Sequence, residues 1–263
     1  MSAYTLITGA TGGIGKAFAY LCAKDSQNLF LTGRSYEKLL NLSLMLLELN
    51  PEIDIKFCPC NLDNQDSRKA LYSFIDEKNI KFNRLINVAG VDTQKDFLSY
   101  TEEKIVFQTR VNTEAVFSIT RAFLDRLTGK KPEIITISSM SGVSAMPQFQ
   151  IYSATKACLT QFFKALRVEL KGKVNVTTVL PGGVYTRDDI KKDILGQGLW
   201  GKLSAKQPEF VAEKSLKAVK RNKKILIPGF WNKFLFVFMK IVPENIRLKF
   251  INNRWKKQTK DAF

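Results

Sequence analysis

Thr8-Gly9-Ala10-Thr11-Gly12-Gly13-Ile14-Gly15 follows the short β-prone run Ala3-Tyr4-Thr5-Leu6-Ile7. It precedes Lys16–Lys24, in which Phe18, Leu21 and Cys22 recur at helical spacing. A strand, a glycine turn and a helix in this order form the opening of a mononucleotide-binding βαβ unit. Gly9 suits a tight turn because it has no Cβ to clash at positive φ. Gly13 and Gly15 let backbone approach a pyrophosphate, and let the helix close on the strand. The first N–H groups of that helix and its partial positive charge then face the phosphates. Thr11, Gly12 and Ile14 complete the loop and count with Gly9, Gly13 and Gly15 as candidate cofactor contacts.

Working outward, apolar strands and amphipathic helices alternate along the 263 residues. Strands are expected at Asn28–Thr32, Asp54–Cys58, Leu85–Val88, Ile134–Ser138, Val174–Val179 and Lys224–Ile227. Helices are expected at Tyr36–Leu49, from Asp63 or Asn64 through Ile75, and at Glu102–Leu127, Tyr152–Lys171 and Glu209–Arg221. Strands this apolar need helices on both faces. The expected fold is α/β: a single Rossmann-like, doubly wound parallel sheet of about seven strands with a helical C-terminal extension. The expected organisation is one nucleotide-binding and catalytic domain over 1–229, with a dependent basic, Phe-rich extension over 230–263.

Composition narrows the chemistry. There is no histidine, which excludes an imidazole base, a Ser-His-Asp triad and most zinc sites. Proton transfer falls to Tyr, Lys, Asp, Glu or Cys, and no metal site is expected. Apolar residues make up 45% of the chain, so disorder is not expected for most of it. No secretory leader is read at the N-terminus, and the longest purely apolar run near the C-terminus, Phe234–Met239, is far short of a membrane span. Cys22, Cys58, Cys60 and Cys158 read as buried thiols of a reducing cytoplasm.

At the end of the second strand the chain reads Thr32-Gly33-Arg34-Ser35, where NAD-binding folds carry an acid for the ribose hydroxyls. Arg34 suits a ribose 2′-phosphate, with the Ser35 hydroxyl beside it. A charge-assisted bond of this kind is worth roughly 1.5–3 kcal/mol, so the cofactor expected is NADP(H). Tyr152 and Lys156 stand four apart at the start of a helix and so share a face. A free phenol titrates near ~10, and a neighbouring ammonium lowers that value. Ser139, at the mouth of the fifth strand, suits polarisation of a carbonyl oxygen. Asn112 lies within a predicted helix although Asn is a mediocre helix former, which suggests that it places a water in a proton relay to Lys156. Pro181-Gly182-Gly183-Val184-Tyr185-Thr186 follows the sixth strand and offers backbone and the Thr186 hydroxyl to a carboxamide.

Thr8–Gly15, Asn87–Gly90, Asn112, Ser139, Tyr152, Lys156 and Pro181–Thr186 resemble, in order and spacing, the short-chain dehydrogenase/reductase family. The matching segments span residues 3 to 186. The resemblance implies an NADP(H)-dependent oxidoreductase interconverting a carbonyl and a secondary alcohol. Tyr152 would exchange the proton, Lys156 would acidify it and hold ribose, Ser139 would polarise the carbonyl and Asn112 would anchor the relay. Asn61-Leu62 stands where the family sets an Asp-hydrophobic pair against adenine. Asn87-Val88-Ala89-Gly90 departs from the family's Asn-Asn-Ala-Gly at Val88; Asn87, Ala89 and Gly90 would line the cofactor while Val88 faces the core. The resemblance also implies a homodimer or homotetramer through the helices at 102–127 and 152–171. The alternative in another class is a non-catalytic NADP(H)-binding sensor or scaffold.

Net charge is +17, and residues 191–263 hold 18 Lys or Arg against 5 Asp or Glu. No nucleic-acid motif accompanies this charge, so nucleic acid is not expected as a partner. Two readings of 230–263 stay open. In one, Phe234, Leu235, Phe238 and Ile241 pack as a lid or dimer contact and the basic tail is only a solvated face. In the other, the segment meets a membrane surface, so the expected location is cytoplasmic, with or without peripheral membrane contact. Leu195, Leu199 and Trp200 are candidate lining for a hydrophobic small-molecule substrate.

Overall fold

The computed structural model describes residues 3–186, 190–191, 194, 196 and 198–255. Among these, seven parallel strands form one sheet: β1 (Ala3–Thr8), β2 (Asn28–Gly33), β3 (Ile55–Pro59), β4 (Lys81–Asn87), β5 (Glu133–Ile137), β6 (Asn175–Val179) and β7 (Ile225–Leu226). Their spatial order is β3-β2-β1-β4-β5-β6-β7, so the chain reverses direction across the sheet between β1 and β4. Ligands of open parallel sheets bind beyond the carboxyl ends of the strands at such a switch point.

The helices are α1 (Gly13–Lys24), α2 (Tyr36–Leu49), α3 (Gln65–Glu77), α4 (Glu102–Thr109), α5 (Ala115–Leu124), α6 (Gln150–Glu169), α7 (Gly198–Ser204), α8 (Pro208–Lys220), α9 (Phe230–Ile241) and α10 (Glu244–Trp255). Successive strand residues point to opposite faces, and the core divides accordingly. Ile7, Leu29, Leu31, Ile86 and Ile135 pack under α1, α2 and α8. Leu6, Phe30, Leu85 and Ile134 pack under α3, α5 and α6. On the second face Phe30 meets Phe82 edge-on, ring centroids 5.8 Å apart, and both are fully buried. Truncating either to Ala would cost about 3–5 kcal/mol.

Local signals account for most boundaries. Ser35, Asn64 and Thr101 cap α2, α3 and α4 by accepting the N–H of the third residue on. Three expectations change. The single helix expected over Glu102–Leu127 is instead α4, a π-helical turn at Arg110–Glu114, and α5. Such a turn widens the ladder by one residue, which a 3.6-residue repeat does not reveal. The strand expected at Lys224–Ile227 shortens to two paired residues. Cys158 is exposed, because it lies off the α6 face that buries Lys156, Leu159 and Phe163.

Candidate active site

The glycine loop is a close-packed cradle. Gly9 sits at φ +63°, and a Cβ there would come within 2.9 Å of the Ala89 backbone. A Cβ at Gly13 would lie 2.8 Å from the Thr186 backbone, and one at Gly15 would collide with the Gly9 carbonyl. Gly12 faces open space: its Cβ would meet only the Gly9 oxygen, at 3.4 Å. Unlike α2, α3 and α4, α1 has no side-chain cap, so its first N–H groups are left for an acidic group. Ile14 supplies backbone there while its side chain packs on the core. Thr11 lies over Gly33, its Oγ1 3.4 Å from where a Cβ would stand. Thr8 Oγ1 accepts from the N–H groups of Val88 and Ala89 at 3.1 and 3.2 Å, joining β1 to the turn after β4. These residues fit a dinucleotide: bare backbone, an uncapped helix start, and the 181–186 loop closing over Gly13.

The residues expected to transfer the proton converge at the same end of the sheet. Tyr152 is hydrogen-bonded to Ser139. Ser139 opens a 3-10 turn, Met140–Gly142, that lies against α6 so tightly that a Cβ on Gly142 would be 2.7 Å from the Lys156 backbone. Ser138, one residue earlier, donates to the Lys156 carbonyl at 2.8 Å and ties β5 to α6. The Lys156 ammonium donates to the Ile137 carbonyl at 3.0 Å and lies 5.5 Å from the centre of the Tyr152 ring. A Cβ on Gly90 would be 3.1 Å from Lys156 Nζ and 3.4 Å from Asn112 Oδ1, so Gly90, Lys156 and Asn112 meet at one point.

The electrostatics differ from expectation. Burial pushes the Tyr152 phenol above its ordinary range; the Asp92 carboxylate adds to this and the Ser139 hydrogen bond opposes it. Burial pulls Lys156 down to about 8, with Asp92 opposing. The Lys156 ammonium is directed at the Ile137 carbonyl rather than at the phenol oxygen. Asn112 is also more committed than expected. Its Oδ1 accepts from Val91 N at 2.8 Å, and its Nδ2 donates to Val91 O at 2.9 Å and Thr155 Oγ1 at 3.1 Å. Both amide hydrogens are spent on holding the β4 exit against α6, which leaves only oxygen lone pairs for a water.

Other predicted residues divide into those that face the cleft and those that do not. Arg34 and Asn61 are exposed at the ends of β2 and β3. The Ser35 hydroxyl caps α2 by accepting from Lys38 N, and retains its hydrogen to donate. Leu62 does not face a ligand: its side chain is buried in the core under α3, and its carbonyl accepts from Arg68. Asn87 is likewise turned inward, donating to Thr120 and Thr136 hydroxyls. Val184 is buried, leaving its backbone. Pro181 accepts from Met140 N at 2.9 Å. Gly182 is glycine for a packing reason, since a Cβ would lie 2.8 Å from Asn232 Oδ1 of α9. Val88 packs on the core as expected. Leu195 and the side chains of Leu199 and Trp200 lie outside the described residues.

Two residues escaped sequence reading. Asp92 acts on both titrating groups, yet nothing local distinguishes it from any loop carboxylate. Phe149 stacks on Tyr152, ring centroids 4.5 Å apart, and walls one side of the phenol. Its place three residues before Tyr152 was the available signal.

A model of the short chain dehydrogenase family matches residues 3–193. The 11-beta-hydroxysteroid dehydrogenase-like 2 protein of Arabidopsis thaliana is 29% identical over 245 residues, 91% of this chain and 77% of that one. The 11-beta-hydroxysteroid dehydrogenase-like 3 protein of the same plant is 30% identical over the same length, with the same coverage. A solved 7beta-hydroxysteroid dehydrogenase superposes with a TM-score of 0.82 at 23% identity, covering 95% of this chain and 96% of that one; at that identity the likeness is one of fold.

Proposed function

Because this chain belongs to the short-chain dehydrogenase family, an oxidoreductase family that uses a nicotinamide cofactor on CH–OH groups, we propose that it is an NADP(H)-dependent reductase of hydrophobic ketones. The observation that carries this reading is the hydrogen-bonded Ser139–Tyr152 pair beside Lys156, at the carboxyl end of the sheet. The nicotinamide, when bound, supplies or accepts the hydride. Ser139 donates to the substrate oxygen and orients it. Tyr152, whose phenol holds its proton at neutral pH, gives that proton to the oxygen as the carbonyl is reduced. Lys156 contributes positive charge and a ribose contact, and Asn112 keeps the turn after β4 in place for it.

Arg34, exposed with no acid beside it at the end of β2, supports the 2′-phosphate and hence NADP(H). Gly9, Thr11–Gly15, Ser35, Asn61, Ala89, Gly90 and the backbone of 181–186 are the proposed remaining contacts. The names of the plant relatives support an apolar ketone such as a steroid. We further propose a homodimer or homotetramer through α4, α5 and α6, in the cytoplasm. The test is NADPH oxidation by the purified chain with ketosteroids, oxoacyl thioesters and small polar aldehydes. Turnover of the first two above the third supports the reading; faster turnover of the small aldehyde, or none with any carbonyl, overturns it.

A further inference from the structure

Helix α9 turns a row of large apolar side chains outward. Phe230, Phe234, Val237, Phe238 and Ile241 recur at intervals that place them on one stripe about 100° wide. All are exposed, Phe230 and Ile241 by 84% and 75%. Ile246 and Phe250 of α10 are each 61% exposed as well. Patches of this kind on soluble proteins mark contact sites. The opposite side of α9 is the anchored one. Asn232, 1% exposed, donates to the carbonyls of Ser204 and Pro228 at 2.9 and 2.8 Å, and Gly182 leaves room for it. The helix therefore rests on the loop that leaves β6, at the catalytic end of the sheet. Of the four residues expected to form a lid or dimer contact, Phe234, Phe238 and Ile241 are exposed and Leu235 is half-buried.

Charge selects what covers the stripe. Residues 230–255 carry five Lys or Arg against one Glu. Lys233 and Lys240 are exposed along one edge of the stripe. A second copy docked on the same face would set these cations against their own duplicates. An anionic bilayer satisfies both features: acyl chains accept the aromatic stripe and headgroups accept the lysines. We propose that α9 and α10 form a membrane-surface site that seats the protein on anionic phospholipid, with the catalytic end of the sheet against the lipid. Each basic residue held at such a surface strengthens binding roughly fivefold, about 1 kcal/mol. The site stands on surface chemistry alone and does not depend on the proposed catalysis.

The test is co-sedimentation of the full chain with vesicles of phosphatidylcholine alone or mixed with phosphatidylglycerol, with carbonyl turnover measured on the same samples. At least tenfold more protein should pellet with the anionic vesicles, and high salt should reverse this. Phe234→Glu/Phe238→Glu/Ile241→Glu should lose capture by tenfold or more at unchanged thermal stability. Lys233→Gln/Lys240→Gln, which spares the apolar stripe, should lose the preference for anionic lipid. Equal or absent pelleting with both compositions, or full capture of the triple Glu variant, overturns the proposal. So does a dimer in light scattering that the triple Glu variant converts to monomer. Vesicle capture without turnover would sink the catalytic reading and leave this one standing.

Discussion

The corner holding Ser139, Tyr152 and Lys156 and the outer stripe of α9 depart from the usual partition of side chains in opposite directions. One buries an ammonium beside a half-buried tyrosine; the other exposes a row of phenylalanines. In the corner, polar groups are held by partners from distant segments. Ile137 receives the ammonium, the Ser139 hydroxyl hydrogen-bonds the phenol, and Val91 and Thr155 receive the Asn112 amide. On α9, aromatic rings stack along the helix, Trp231 on Phe234 and Phe234 on Phe238. Desolvation acts strongly on the first region and hardly at all on the second. The corner should therefore respond sharply to single-atom changes in both chemistry and stability. The stripe should respond only when a second phase is present.

The sharpest test of that contrast is Tyr152→Phe, which removes one oxygen. Turnover should fall by about 10²–10⁴-fold while NADPH binding, read by fluorescence, persists. Retained turnover would break the comparison at its first term. Arg34→Ala should raise the KM for NADPH by roughly ten- to a hundredfold and leave NADH kinetics nearly unchanged. Gly15→Ala, whose methyl meets the Gly9 carbonyl, should destabilise the fold by about 1–3 kcal/mol in urea unfolding and weaken cofactor binding with it.

The pH profile sharpens the same corner. Lys156 is charged below its pKa of about 8 and neutral above it, so carbonyl reduction should decline as pH rises through that value. Asp92 raises the pKa of both Tyr152 and Lys156, so Asp92→Asn should move the decline to lower pH. An unmoved profile would remove Asp92 from the site. The smallest effect should be that of Phe238→Ser on stability, within about 0.5 kcal/mol by thermal unfolding in buffer, as for most surface substitutions. A large loss there would show that the stripe packs against something in solution.

The strand and helix pattern is readable because burial on two faces of a sheet imposes a local apolar rhythm, visible from Ile7 to Val179. The convergence of the glycine loop, Ser139, Tyr152 and Lys156 follows from spacing and strand ends. Asn87 and Leu62 read as cleft residues from their motifs, yet both side chains turn into the core. One residue of register decides whether a strand-end side chain points inward or outward, and only the packed neighbours fix that register. The π turn at Arg110–Glu114 is invisible for a related reason: helical spacing on either side of it is regular.

By itself the sequence determined the parallel α/β layout, the glycine positions and the helical Tyr–Lys pair, since these rest on Cβ sterics and on periodicities spanning a few residues. Tertiary structure alone decided that Asp92 and Phe149 attend Tyr152, that Lys156 faces the Ile137 carbonyl, and that the α9 stripe points outward. Titration and exposure depend on which atoms displace water around a group, and those atoms come from segments far apart in the chain.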